Sequence, residues 1–246
     1  MNSLDSLKSS IISQFGTPCA VIDLDIIKKN ILRAQKICDA AGVANRPHIK
    51  THKSPLLAKM QIDAGARGIT CQKLGEAEVM AEAGIDDILI ATNILVAAKS
   101  GRLASLQKRL PLKVCADNQT SLREYSKAEE AANRPLDVLI ECDTVQKRAG
   151  VEDPKEATNL VQSIIEDKWL KFTGLLYYPT LQGWDDTQIF HNSLTKMLDD
   201  LKVKAKIIST GGTPNFANIG KLEGATEHRA GTCIFNDMMM VQDGFA

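Results

Sequence analysis

Short apolar runs alternate along this chain with longer stretches in which apolar residues recur every three or four positions. The first rhythm suits a strand buried on both faces. The second suits an amphipathic helix. An apolar run at 19–23 precedes a helical pattern over 24–41. Pairs then follow in order: strand 47–50 with helix 54–64, strand 68–71 with helix 75–83, strand 87–91 with helix 97–109. Strand 112–116 leads to a helix capped by Asp117 or Asn118. Strand 136–142 leads to helix 153–166, strand 172–178 to helix 185–201, and strand 206–210 to a short helix at 215–221. A last strand spans 226–232.

With the run at 19–23 set aside, eight strands remain, each separated from the next by helix. Such a chain predicts an α/β fold with a parallel sheet and right-handed crossovers. Eight is the number that closes a (β/α)8 TIM barrel. An open doubly wound sheet is the competing architecture. No linker, repeat or low-complexity segment interrupts the pattern. The expected organisation is an N-terminal extension, 1–16, followed by one barrel domain, 17–246.

A barrel gathers reactive groups at the C-terminal ends of its strands and binds phosphates after strands seven and eight. Strand one ends at Lys50. A long amine there can form a Schiff base with a carbonyl cofactor. Strand alternation places His48, Lys50 and His52 on one face. Strand seven ends in Thr210-Gly211-Gly212-Thr213, and strand eight runs into Gly231 and Thr232. Glycines let backbone N–H groups approach an anion closely. In a closed ring strand one neighbours strand eight, so the lysine and this anion cradle are expected close together. Together they suit pyridoxal 5'-phosphate. Arg148, in the loop after strand five, and one of Tyr177 and Tyr178, at the end of strand six, are further candidates for the mouth. The bland alternatives are a solvated lysine, an ordinary glycine turn, a surface arginine and a packing tyrosine. Met238–Met240 reads as packing or interface surface.

Composition adds exclusions. Lys plus Arg equals Asp plus Glu at 30 each, so no basic face points to nucleic acid or an anionic membrane. Six cysteines without CxxC spacing read as reduced thiols, with Cys19, Cys71, Cys115 and Cys142 packed as small hydrophobes in strand-like runs. A polar, mixed N-terminus and the lack of a long apolar run suggest a cytoplasmic protein.

The segments RPHIKTHK, GITCQKLGEAEVMAEAGIDDILIA, STGGTPN and TEHRAGTCIFND resemble the D-threonine aldolase and D-serine dehydratase group. These are fold-type III pyridoxal-phosphate enzymes related to alanine racemase, and the resemblance spans most of the chain. It implies that Lys50 carries the cofactor, that Thr210, Gly211, Gly212, Thr213, Gly231 and Thr232 hold its phosphate, and that Arg148 lies beside its ring with Tyr178 at the mouth. An arginine can hydrogen-bond the ring nitrogen but cannot give it a proton. The implied activity is lyase chemistry on β-hydroxy D-amino acids: retro-aldol cleavage to glycine and an aldehyde, or elimination. A non-catalytic pyridoxal-phosphate carrier and an amino-acid racemase are the alternatives. Where many relatives carry a histidine after the strand-six tyrosine, this chain has Pro179-Thr180. The resemblance also implies a β-rich second domain that would bring a divalent metal and complete a homodimer. On this reading the present chain is partial, has no metal ligands of its own and turns over little or nothing alone.

Overall fold

The computed structural model describes residues 3–94 and 97–245; Met1, Asn2 and Ala246, at the outer ends of the expected extension and barrel, lie outside the described residues. The strands are β1 (Ala44–Asn45), β2 (Ile69–Cys71), β3 (Ile88–Ile90), β4 (Leu112–Ala116), β5 (Leu136–Cys142), β6 (Leu170–Tyr177), β7 (Ile207–Gly211) and β8 (Glu227–Arg229). All pair in parallel in the order β1-β8-β7-β6-β5-β4-β3-β2. The ring then closes. The Pro47 carbonyl accepts from Thr70 N–H at 2.8 Å, and His48 bridges Thr70. The barrel, not the open sheet, is the architecture.

Helices α1 (Ser3–Phe15) and α2 (Leu24–Ala40) precede the ring. Around it run α3 (Pro55–Asp63), α4 (Leu74–Glu82), α5 (Ser100–Arg109), α6 (Gln119–Ala132), α7 (Pro154–Glu166) and α8 (Trp184–Asp200), and α9 (Met238–Gln242) follows. Helix α7 shows why they form. Asp153 caps it by accepting from Lys155 N–H, and Pro154 needs no donor in the first turn. Ala157, Leu160, Val161 and Ile164 then recur at helical spacing and are buried against the sheet. Burying each of the larger three contributes about 1.5–3 kcal/mol.

Alternation along β5 sends Val138, Ile140 and Cys142 to the helical layer, where the large core lies. Leu139 instead joins Leu89, Cys115, Leu176 and Ile207 in a separate apolar waist inside the ring. Beneath the waist, buried Arg46 binds Glu227 at 2.8 Å and Asp87 at 2.7 Å. The waist therefore separates a charged plug from whatever lies at the mouth.

Several sequence expectations shift. Strand one begins at Ala44, three residues early, and its ladder ends before Lys50. The run at 19–23 forms no strand: Val21 and Ile22 are exposed, and Cys19 is exposed where a packed thiol was expected. Among the described residues no strand pairs with it. The mixed N-terminus holds helix α1. The short helix after β7 is a 3-10 helix, Thr213–Asn218. No helix among the described residues is long and apolar enough to cross a membrane.

Candidate functional site

Lys50 sits in a 3-10 turn, Ile49–Thr51, immediately beyond the β1 ladder. His48 begins the turn in an extended conformation, and its Nδ1 accepts Lys50 N–H at 3.4 Å. Lys53 ends it in the left-handed region, φ 53°, with its N–H bonded to Ile49 O at 2.8 Å. The alternation expected through His52 therefore breaks after His48. His52 turns away from the mouth, with Nε2 bonded to Gln61 and Nδ1 accepting Ser54 N–H.

The Lys50 side chain lines a small cavity at the C-terminal mouth of the ring, together with His48, Gln72, Glu141, Arg148, Tyr178 and Arg229. The loop that carries Arg148 is organised by Asp143. One of its oxygens accepts the N–H groups of Val145, Gln146 and Lys147, and the other accepts that of Arg148 at 2.5 Å. Burial alone would raise Asp143, but these four donors bring it below the usual carboxylate range. The Arg148 guanidinium then lies 4.8 Å from the Tyr178 ring centre. Tyr177 faces outward, with its hydroxyl on His191 at 3.0 Å. Tyr178 takes the inward position.

The two glycine turns arrive at the same rim. A Cβ on Gly212, where φ is 105°, would stand 3.3 Å from the Tyr178 hydroxyl. A Cβ on Gly231 would stand 2.7 Å from the His48 carbonyl, so this turn rests directly on the turn of the lysine. Thr51 fastens the two by donating to Gly231 O at 3.1 Å. Thr213 and Thr232 each open a 3-10 helix, which leaves their N–H groups without acceptors inside it. The Thr213 hydroxyl accepts Cys233 N–H. Thr210 is different: its hydroxyl is committed to His228 Nδ1 at 2.9 Å, and its carbonyl accepts from Arg229. Gly211 contributes backbone, with its carbonyl held by Asn215.

A family model described as "Alanine racemase, N-terminal domain" matches residues 22–238. This chain belongs to that family. A D-threonine aldolase of Arthrobacter sp. is 33% identical over 92% of the chain and 62% of its own length. A D-threo-3-hydroxyaspartate dehydratase of Delftia sp. (strain HT23) is 32% identical over 91% of the chain, again 62% of its own length. The solved D-threonine aldolase from Filomicrobium marinum superposes with a TM-score of 0.84 at 30% identity, covering 89% of this chain and 62% of that one. The chain thus spans about 62% of the length of these relatives.

In this alanine racemase-type barrel the charges at the mouth are arranged unevenly. Partial burial, then Arg148 and Arg229, lower the Lys50 amine below its usual range, while Glu76 pulls the other way. A larger share of neutral, nucleophilic amine follows. Burial, with Lys50 and Arg229 adding, pushes His48 down to about 3. A neutral His48 whose Nδ1 accepts must carry its proton on Nε2, which then donates to Gln72 Oε1 at 3.1 Å.

Sequence reasoning missed Arg229, Glu141 and Gln72. Arg229 is buried, with Nη1 on Thr210 O at 3.2 Å and Nη2 on Tyr177 O at 2.9 Å. Its Nε has no hydrogen-bond partner. Burial raises the Glu141 carboxyl, which Arg229 partly offsets. Alternation contained the signal for two of them. Residues 227, 229 and 231 share a face of strand eight, as do 139 and 141 of strand five.

Proposed function

We propose that this chain binds pyridoxal phosphate through Lys50 and forms the cofactor-bearing part of a lyase acting on small β-hydroxy D-amino acids. The observation that carries the reading is the meeting of a lowered amine and two glycine turns at one rim, with Tyr178 reaching from the cavity to Gly212. The residues present fit the cofactor. Arg229 Nε is a buried donor without a partner, and Thr213 and Thr232 each begin a 3-10 helix with N–H groups that have no acceptor inside it. Gly212, Thr213, Gly231 and Thr232 would hold the phosphate, with Thr210 and Gly211 supporting it through backbone. Arg148 and Arg229 would flank the ring as permanent cations.

When bound, the cofactor supplies an electron sink for a bond broken at a substrate α-carbon. The chain supplies the rest. The Lys50 amine anchors the cofactor and, once displaced by substrate, moves a proton at the α-carbon through its Nζ. Tyr178 and Arg148 stack at the rim and narrow the entrance. Neutral His48 holds the turn of the lysine without adding a charge. Among the described residues no group of three His, Cys, Asp or Glu side chains is placed to hold a metal. No step is therefore assigned to one. The protein is read as a homodimer.

The test is direct. Purified protein is mixed with pyridoxal phosphate, reduced with borohydride and mapped by mass spectrometry. The dominant adduct is expected at Lys50, and Lys50→Ala should abolish it. A dominant adduct that survives the substitution would falsify the assignment. A panel of D-threonine, D-serine and D-3-hydroxyaspartate then separates aldehyde release from keto-acid release. Cofactor binding with neither product would favour the carrier.

A further inference from the structure

The 49–53 turn carries two lysines, and they face different surroundings. Lys50 opens into the mouth cavity. Lys53 lines a separate cleft beside α4, with Lys73 and Val79. Between them stands Glu76, on the first turn of α4, with only 8% of its surface exposed. One of its oxygens accepts Gln72 N–H at 2.7 Å. The other, Oε1, has no hydrogen-bond partner and lies 3.5 Å from Lys53 Nζ. Gln72 in turn holds His48 Nε2 and Thr92, and His48 holds the Lys50 backbone N–H. A single carboxylate is therefore ion-paired to one lysine and linked through Gln72 and His48 to the turn of the other.

We infer that Glu76 is a positioning residue that selects Lys50 over Lys53: it retains the Lys53 ammonium in the outer cleft and fastens the turn so that Lys50 alone is presented to a carbonyl ligand. The inference rests on the reading of Lys50 as the cofactor lysine. The ion pair at 3.5 Å holds the Lys53 ammonium in the outer cleft, turned from the mouth that Lys50 lines. Around Lys50, burial first and then the cations Arg148 and Arg229 outweigh Glu76, and this amine is lowered below its usual range. The other titratable group on which Glu76 acts is the buried Cys71 thiol, whose pKa burial already raises.

Glu76→Gln tests the inference, because an amide oxygen still accepts Gln72 N–H while the charge is gone. Wild type, Glu76→Gln and Glu76→Asp are reacted with pyridoxal phosphate across a pH series, reduced with borohydride and mapped, with thermal melts confirming the fold. In Glu76→Gln, labelling of Lys53 should rise about two- to fivefold, in proportion to the strength of a surface-accessible ion pair. The pH midpoint for labelling Lys50 should fall, because a stabilising anion has left the ammonium. Glu76→Asp should keep labelling on Lys50. A Glu76→Gln protein with wild-type site distribution and midpoint overturns the inference, as does Glu76→Asp behaving like Glu76→Gln. Wild type that labels no lysine at the mouth overturns the cofactor reading instead, so the two failures are distinguishable.

Discussion

Arg229 shows how one side chain can be held rigidly and still have something to offer. Two of its N–H groups are bonded to the Thr210 and Tyr177 carbonyls, so its plane is fixed across β7 and β6. A lysine cannot reproduce that fork. Arg229→Lys should therefore cost about 1.5–3 kcal/mol, read as a lower melting temperature. Arg229→Gln removes a cation that disfavours the Lys50 ammonium. The pH midpoint for borohydride-trapped adduct at Lys50 should then move up. A midpoint that stays in place means that Arg229 does not act on the amine. Lys50 was expected at the mouth and lies there, although in a turn beyond strand one rather than at its end. Arg229 shares a face of strand eight with Gly231, but its depth emerges only when the ring is closed around it.

At the scale of the element, the loop after β5 depends on a single carboxylate. Asp143 gathers four consecutive N–H groups and so sets the direction in which Arg148 leaves the backbone. Asp143→Ala should release the loop and weaken cofactor binding, measured by titration, at a stability cost of about 2–4 kcal/mol. The sign with pH follows from a lowered carboxyl: its contribution is complete above the ordinary carboxylate range and is lost as pH falls through the folded value. Wild-type and Asp143→Ala stabilities should therefore converge in acid. Gly231→Ala tests the close approach to His48. A methyl group 2.7 Å from a backbone carbonyl forces the two turns apart and should weaken both folding and cofactor binding. The turn at 49–53 marks where sequence periodicity failed. Alternation assigns a face to every second residue only while the strand continues, and a 3-10 turn replaces it at Ile49.

For the whole molecule, the count of eight strands was legible because six of them, β2 to β7, are short, largely apolar and bounded by helix, whereas β1 (Ala-Asn) and β8 (Glu-His-Arg) are not apolar. The order around the ring and its closure followed from that count. Helix α1 was overlooked although Leu7, Ile11 and Phe15 recur at helical spacing; Leu7 and Phe15 remain exposed, so no core reinforces the pattern. Glu129 on α6 is the clearest cost in the fold. It is fully buried, both carboxylate oxygens lack a hydrogen-bond partner, and burial raises it to about 8. A raised carboxyl remains protonated in the native state while the unfolded chain ionises. Stability should therefore fall as pH rises from the ordinary carboxylate range to about 8. Glu129→Met should flatten that slope and stabilise the protein near neutral pH by about 1–3 kcal/mol. A slope unchanged in denaturant titrations at several pH values would locate the titration elsewhere.

Thr51 and Gly231, 180 positions apart, touch across the seam between β1 and β8. The two halves of the binding rim are therefore made at opposite times during translation. Lys50 leaves the ribosome early and waits for nearly the whole barrel before the Gly231 turn exists. On the proposed reading of Lys50, coenzyme capture would report completed closure, and a nascent chain stalled before β8 should carry the lysine yet fail to retain the coenzyme.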